Sequence, residues 1–493
     1  MNANLTPSRA WEPIPDEAWS AAHARHFFRR AAWGATPADV KRALENGLSA
    51  TVSEAFGTAL SMPIPQSVNE AAETMRGLYQ RVQQAPTQEK KEELRAESRR
   101  KQLAAYHDMS IRWLQFASSP QRAPYEKWTS FLQNIFVVSY GALNNPSLVF
   151  QHHELLRQKG LGTAPELCSA VSRSPAMILY LDLQQSRSSA PNENFARELF
   201  ELFTLGEGNY TEEDIKEAAR AFTGYRQQNG EFRFARNQHD FGKKKIFGRT
   251  GPWEGDDVID LIFRQKAAAT FLPREMCRFY LSDQELHPAY IEALGEIWRK
   301  SRYRLSTLLE TFFKSRIFYD ARFRGNLIKS PVHFHLGLLH DLDLTVPPFP
   351  RNIIVRYRQM GQTLYQPPSV RGWVGGRLWI NASTLTARRM LVESLFQPFS
   401  PQNLNADERR TLQAFRQEGR VELVVTRRRL SQMAEADPQA ISRRLTDFFL
   451  AHRVSPAYRK TLAEYLAEGP GDRVDRIRTI AMAILQSPEY NLC

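Results

Sequence analysis

Cysteine is scarce in this chain of 493 residues, which has only Cys168, Cys277 and Cys493. An odd number with no CxxC pair argues against a disulfide framework and against a cysteine-rich zinc site. It fits a reducing compartment. Long apolar runs are missing too. No stretch approaches the ~18 apolar residues needed to span a bilayer, so no membrane span is expected. The N-terminal MNANLTPSRAWEPIPDEAW carries Glu12, Asp16 and Glu17 and no apolar segment, so it reads as neither a Sec nor a twin-arginine signal. As written the chain is expected to be cytoplasmic, and a misassigned start codon would conceal an export signal. HExxH, G-x-S-x-G and a P-loop GK[ST] are all absent.

What is present is an ordinary globular balance: 42% hydrophobic and 24% charged residues, which excludes a disordered or collagen-like chain. A prior of about 150 residues per domain suggests roughly three units, or about two with insertions. The formal net charge is +13, from 66 Lys+Arg against 53 Asp+Glu. That excess is dispersed; Arg427-Arg428-Arg429 and Lys243-Lys244-Lys245 are its densest points. Dispersed charge gives solubility and weak attraction to polyanions, and argues against specific nucleic-acid binding.

Helical periodicity dominates and strand alternation is sparse, so the expected fold is mainly α: a multi-helical globular core with long irregular loops and a charged helical arm. The expected division is an N-terminal helical segment over 1–61, a charged arm or insertion over 62–124, a core over 125–400 and a helical tail over 401–493. Thr36, Pro37 and Asp39 predict a helix start. The segment EKKEELRAESRRK predicts a solvated helix with a break near Pro86. A helix over 193–206 is predicted to close at Gly206, and Thr211 and Asp214 form a capping box before the next. EFRFA (231–235) suggests a short strand pair. Pro273 is expected to break the helix that follows Asp257. HFHLGLLHDLDL reads as an amphipathic helix on which His333 and His335 do not share a face.

Three polar constellations stand out. On the 193–206 helix Asn194, Arg197, Glu198 and Glu201 fall on one stripe, opposite Phe195, Leu199, Leu202 and Phe203. That stripe either faces water or lines a cleft. Two carboxylates one turn apart can share a divalent metal or divide acid and base roles. His239-Asp240 precedes the lysine triplet in a glycine-rich loop. A neutral imidazole there is a base or ligand, and Lys244 suits an anion; a surface loop with a capping Asp is the plain alternative. Between Pro367 and Asn381, Arg371, Trp373 and Trp379 flank a flexible glycine pair. They would stack on a sugar ring or plug the core, with Asn381 as an N-cap.

At these residues the chain resembles a bacterial family catalogued as domain of unknown function 1800. The resemblance runs from HFFRRAAWGATPADV (26–40) to WINASTLTARR (379–389). Its most specific segment is SPAMILYLDLQQSRSSAPNENFARELFELFTLGEGNYTEEDIKEAARAFTGY (174–225), joined by HDFGKKKIFG (239–248) and MGQTLYQPPSVRGWVGGRLWIN (360–381). The resemblance implies site positions at Asn192, Glu193, Asn194, Arg197, Glu198, Glu201, His239, Asp240, Lys244, Arg371, Gly372, Trp373, Trp379 and Asn381. It implies no reaction. Family members often carry a Trp-His-x-His-Phe run where this chain has Leu132-Gln133-Asn134-Ile135-Phe136, so two histidines are missing here. Members are often exported, and their genes often neighbour those of a second family resembling sulfatases and phosphatases, which implies a protein partner.

Two functions are expected on these grounds. One is a binding or assembly protein whose polar cleft takes an anionic or saccharide-like ligand or a protein partner, through Asn192, Asn194, Arg197, Lys244, Arg371, Trp373, Trp379 and Asn381. The other is a metal-assisted hydrolase using Glu198, Glu201, His239 and Asp240, with a divalent ion as cofactor.

Overall fold

The computed structural model describes residues 5–419 and 421–493, and they form a mainly α-helical fold. Local chemistry sets many helix starts. Thr36 accepts a hydrogen bond from Asp39 N while the Asp39 carboxylate accepts one from the Thr36 backbone, and Pro37 opens the helix Pro37–Phe56. Thr211 and Asp214 do the same at Glu212–Ala221, and Asn381 with Thr384 at Ala382–Phe396. Each arrangement satisfies backbone donors that a helix start would otherwise leave bare.

The charged segment forms a helix of 30 residues, Gln88–Ala117, separated from Leu78–Gln84 at the predicted break. Its first half is mostly exposed, with Ser98 and Gln102 buried against Gln66–Met75. From Ala105 onward Tyr106, Met109, Trp113 and Ala117 recur at helical spacing and are buried. Ala105 and Leu114 widen that stripe, so this half of the helix belongs to the core.

One apolar core runs continuously from Ala10 to Tyr490, beside a small satellite made by Phe349, Leu404, Leu412 and Leu423. An ion pair lies inside it. The Arg157 guanidinium donates to both oxygens of Glu126, at 2.6 and 3.0 Å, with side-chain exposures of 2% and 0%. Trp113 Nε1 donates to Glu126 as well, and Arg157 also reaches Glu154, which accepts from Ser61 Oγ and Met62 N. Chain segments far apart in sequence meet at this one network.

Two sequence expectations need correction. The helix Pro331–Asp341 is not amphipathic, since Pro331 through Leu339 are all buried. Trp33 packs so close on one side that a Cβ at Gly337 would sit 2.8 Å from its carbonyl oxygen. His333 faces Lys127 and His335 faces the Tyr357 hydroxyl, so the two imidazoles do point apart. Pro273 does not break its helix; it lies inside Ala268–Tyr280, and the interruption falls after Phe263. A proline removes the N–H that would pair with the carbonyl four residues back, here that of Ala269. Gly295 backs onto that carbonyl, where a Cβ would come within 2.5 Å.

Strand is limited, among the described residues, to two antiparallel ribbons and isolated bridges. Tyr225–Gln228 pairs with Glu231–Phe234, in the predicted place. Lys244–Ile246 pairs with Arg249–Gly251, a ribbon that the sequence pattern does not reveal. Its turn, Phe247-Gly248, has φ of +48° and +74°, as two-residue hairpins favour. Among the described residues no helix is long and apolar enough to cross a membrane.

Candidate functional site

The signature helix is not one regular α-helix. Asn194–Glu198 is α-helical, and Leu199–Thr204 continues as a π-helix, with Leu205 N donating to Phe200 O at 2.8 Å. The Thr204 hydroxyl donates to Leu199 O, which helps hold the widened turn. Widening rotates the residues after Glu198. Phe200 becomes fully buried and Leu202 only half-buried, whereas uniform periodicity predicts Leu202 inward. Such π-turns are frequent at functional sites. Gly206, at φ +82°, ends the element as expected.

Acidic residues gather on this turn. Arg197 bonds Glu193 at 3.0 Å and takes Glu212 with two nitrogens at 2.8 Å each. Arg371 reaches across 170 residues to Glu201 at 2.8 Å and also holds Glu207 at 2.7 Å. The Tyr210 hydroxyl donates to the second Glu201 oxygen at 2.9 Å. Glu198 is half-buried, and its carboxylate takes part in no hydrogen bond or ion pair with a described residue. Burial first, then the neighbouring Glu201 charge, push its carboxyl above the usual range against the pull of Arg371 and Arg197. Five carboxylates thus share two guanidiniums, a surplus of three negative groups when all are ionised. Asn192 and Asn194 build the entry to the helix. Asn192 accepts from Asn194 N, and its own N–H donates to Ser186 Oγ.

His239, Asp240 and Lys244 belong to a second cluster, at the other end of the Glu212–Ala221 helix. His239 Nδ1 donates to Thr223 O at 2.7 Å, which leaves Nε2 as the acceptor in a neutral ring. That Nε2 is buried without a partner among the described residues, and the ring packs edge-on against Phe234 and Phe241. Asp240 is held by Arg220 at 2.7 Å, which also grips Glu217, and the Arg220 bonds keep the Asp240 carboxyl below its ordinary range. Lys244 is buried, and its Nζ donates to the carbonyls of Asp240 and Gly242 at 2.6 and 3.1 Å. Desolvation pushes the Lys244 ammonium down. These contacts bind the loop to itself.

The third signature segment sits over the end of the Ala123–Ile135 helix. Trp373 N donates to Asn134 Oδ1 at 2.7 Å, and Asn134 Nδ2 donates to Trp373 O at 3.2 Å. Trp379 is buried, Trp373 is half-buried, and Val374 and Leu378 point outward at 77% and 70% exposure. Asn381 is engaged as the N-cap. Gly372 has φ +69°, and a Cβ there would fall 2.3 Å from Asn134 Oδ1. Gly372→Ala is therefore expected to unseat the loop and cost about 1–3 kcal/mol, readable by urea denaturation and by faster proteolysis within 366–380.

The structure thus joins Arg371 to Glu201 and sets both beside Glu198. No hydrogen bond or ion pair among the described residues links that trio to His239, Asp240 or Lys244. Sequence reasoning missed Glu207, Tyr210, Arg220, Thr223 and Asn134, whose roles arise only from chain-distant contacts. Among the described residues no three His, Cys, Asp or Glu side chains are grouped to hold a metal ion.

The chain is thus a many-helix protein carrying an acidic π-turn clasped by a distant Arg-Gly-Trp loop. The model of the family described as a protein of unknown function (DUF1800) matches residues 26–492, and the chain belongs to that family. No curated protein and no solved structure matches it.

Proposed function

We propose that the chain is a binding or assembly protein whose recognition surface centres on Glu198. The observation that carries this reading is that Glu193, Glu201, Glu207 and Glu212 are all paired within the chain, whereas Glu198, half-buried beside them, is not. A partly desolvated carboxylate without a partner favours an incoming hydrogen-bond donor. An anionic ligand would have to displace glutamates from Arg197 or Arg371, so a basic or hydroxyl-rich segment of a protein partner fits better. Gln133 and Ile135, standing where the family run carries histidines, favour binding over catalysis. The partner is sought in the neighbouring sulfatase-like family. Glu198→Gln is expected to weaken co-purification of such a partner about tenfold or more while leaving the melting temperature unchanged. Undiminished capture by the variant would overturn the reading.

A second reading has its own observation. The raised Glu198 carboxyl next to a Glu201 bonded by Arg371 and Tyr210 is the arrangement by which two carboxylates divide acid and base roles. In that reading Glu198 donates the proton to a leaving oxygen and Glu201 activates water. Hydrolysis that vanishes in Glu198→Gln, with a pH optimum above the ordinary carboxylate range, would favour it over binding alone.

A further inference from the structure

Lined by none of the signature residues, an open cavity of about 650 Å³ lies between the N-terminal helices Ala21–Ala31 and Pro37–Phe56 and the tail helix Pro438–Phe449. Its size falls within the range of about 300–1,000 Å³ typical of small-molecule sites. Val40, Leu44 and Phe448 form its apolar walls. Its charged groups are not balanced. Lys41 pairs with Glu45, and Asp447 is paired with Arg459. That leaves the side chains of Arg25 and of the exposed Arg444, which have no hydrogen bond or ion pair with any described residue. Arg25 is half-buried, and it lies within electrostatic reach of Arg29 and Arg324, whose guanidiniums it opposes.

A half-buried guanidinium flanked by like charges is a costly arrangement that a bound anion relieves. The apolar walls add the reward of covering hydrocarbon. We infer that this cavity binds an amphipathic monoanion, a carboxylate with an apolar chain, with its head between Arg25 and Arg444 and its body against Leu44 and Phe448. A simple inorganic anion would leave those walls wet, and a neutral lipid would leave the arginines unpaired.

Decanoate titrated into the full chain, followed by displacement of 1-anilinonaphthalene-8-sulfonate, tests the inference. Saturable 1:1 displacement is expected, with decanol of equal chain length about tenfold weaker or worse. The double variant Arg25→Met/Arg444→Met, which keeps apolar stems, should lose decanoate affinity by about tenfold or more. Leu44→Glu, at a position already 43% exposed, should do the same without loss of melting temperature. Equal binding of decanol and decanoate, unchanged affinity in both variants, or no saturable displacement would each overturn it.

Discussion

Replacing Arg157 by methionine is expected to destabilise the protein by about 3–5 kcal/mol, among the largest single-residue losses available to it. The guanidinium is almost wholly buried, and Glu126 opposite it has no exposure at all. Removing one partner leaves the other charge in apolar surroundings, where desolvation exceeds what the Trp113 indole alone can offset. In the intact pair burial opposes the charged guanidinium, but the Glu126 and Glu154 carboxylates outweigh it and hold Arg157 charged. Chemical denaturation of Arg157→Met, Glu126→Gln and the double variant would isolate the pair. A double variant more stable than either single one is the expected signature, and three equal losses would contradict it.

The second large effect depends on pH. Lys127 and Lys329 are buried, and desolvation lowers them from 10.5 to about 7 and about 8. Lys127 donates to Ala32 O at 2.8 Å and meets His333 Nδ1 at 3.3 Å, with Arg30, Lys329 and Cys493 in electrostatic range. Lys329 lies 3.7 Å from the Tyr490 ring centroid, with Asp341, Cys493, Arg29 and Arg388 in range. The unfolded chain keeps both lysines protonated to near pH ~10, whereas the folded chain releases these protons earlier. The unfolded state therefore binds more protons across that window, and this contribution to stability rises with pH. Buried thiols oppose it, since Cys168 is held up at about 12 and would ionise sooner when unfolded. Comparison with Lys127→Met separates the two. Between about pH 7 and 9 the natural chain should gain about 2 kcal/mol relative to the variant. A difference that stays flat over this range would mean that Lys127 is not desolvated as its surroundings imply.

How far the sequence could be read depended on whether the cause was local. The Thr36, Thr211 and Asn381 caps each involve atoms within three residues, and all three were legible in place. The mainly helical class came from periodicity in the same way. The π-turn was not legible, because residue spacing assumes the hydrogen-bond register that Leu199–Thr204 abandons. The lysine triplet misled for a similar reason. On the strand Lys244–Ile246 alternate side chains point inward, so Lys244 is buried while Lys245 remains outside. The stripe of Asn194, Arg197, Glu198 and Glu201 was visible, but not that Arg371 would clasp it or that the Glu198 carboxylate would find no partner among the described residues.

The Arg371 clasp also bears on how the protein is made. Glu201 and Glu207 are synthesised 170 and 164 residues before Arg371, so both stand without that partner until the later loop arrives. A peptide copied from 174–225 would spell the motif yet lack the Arg371 that clasps it. On the proposed reading, recognition would be acquired only once that later segment is in place, and shorter partial chains would lack it.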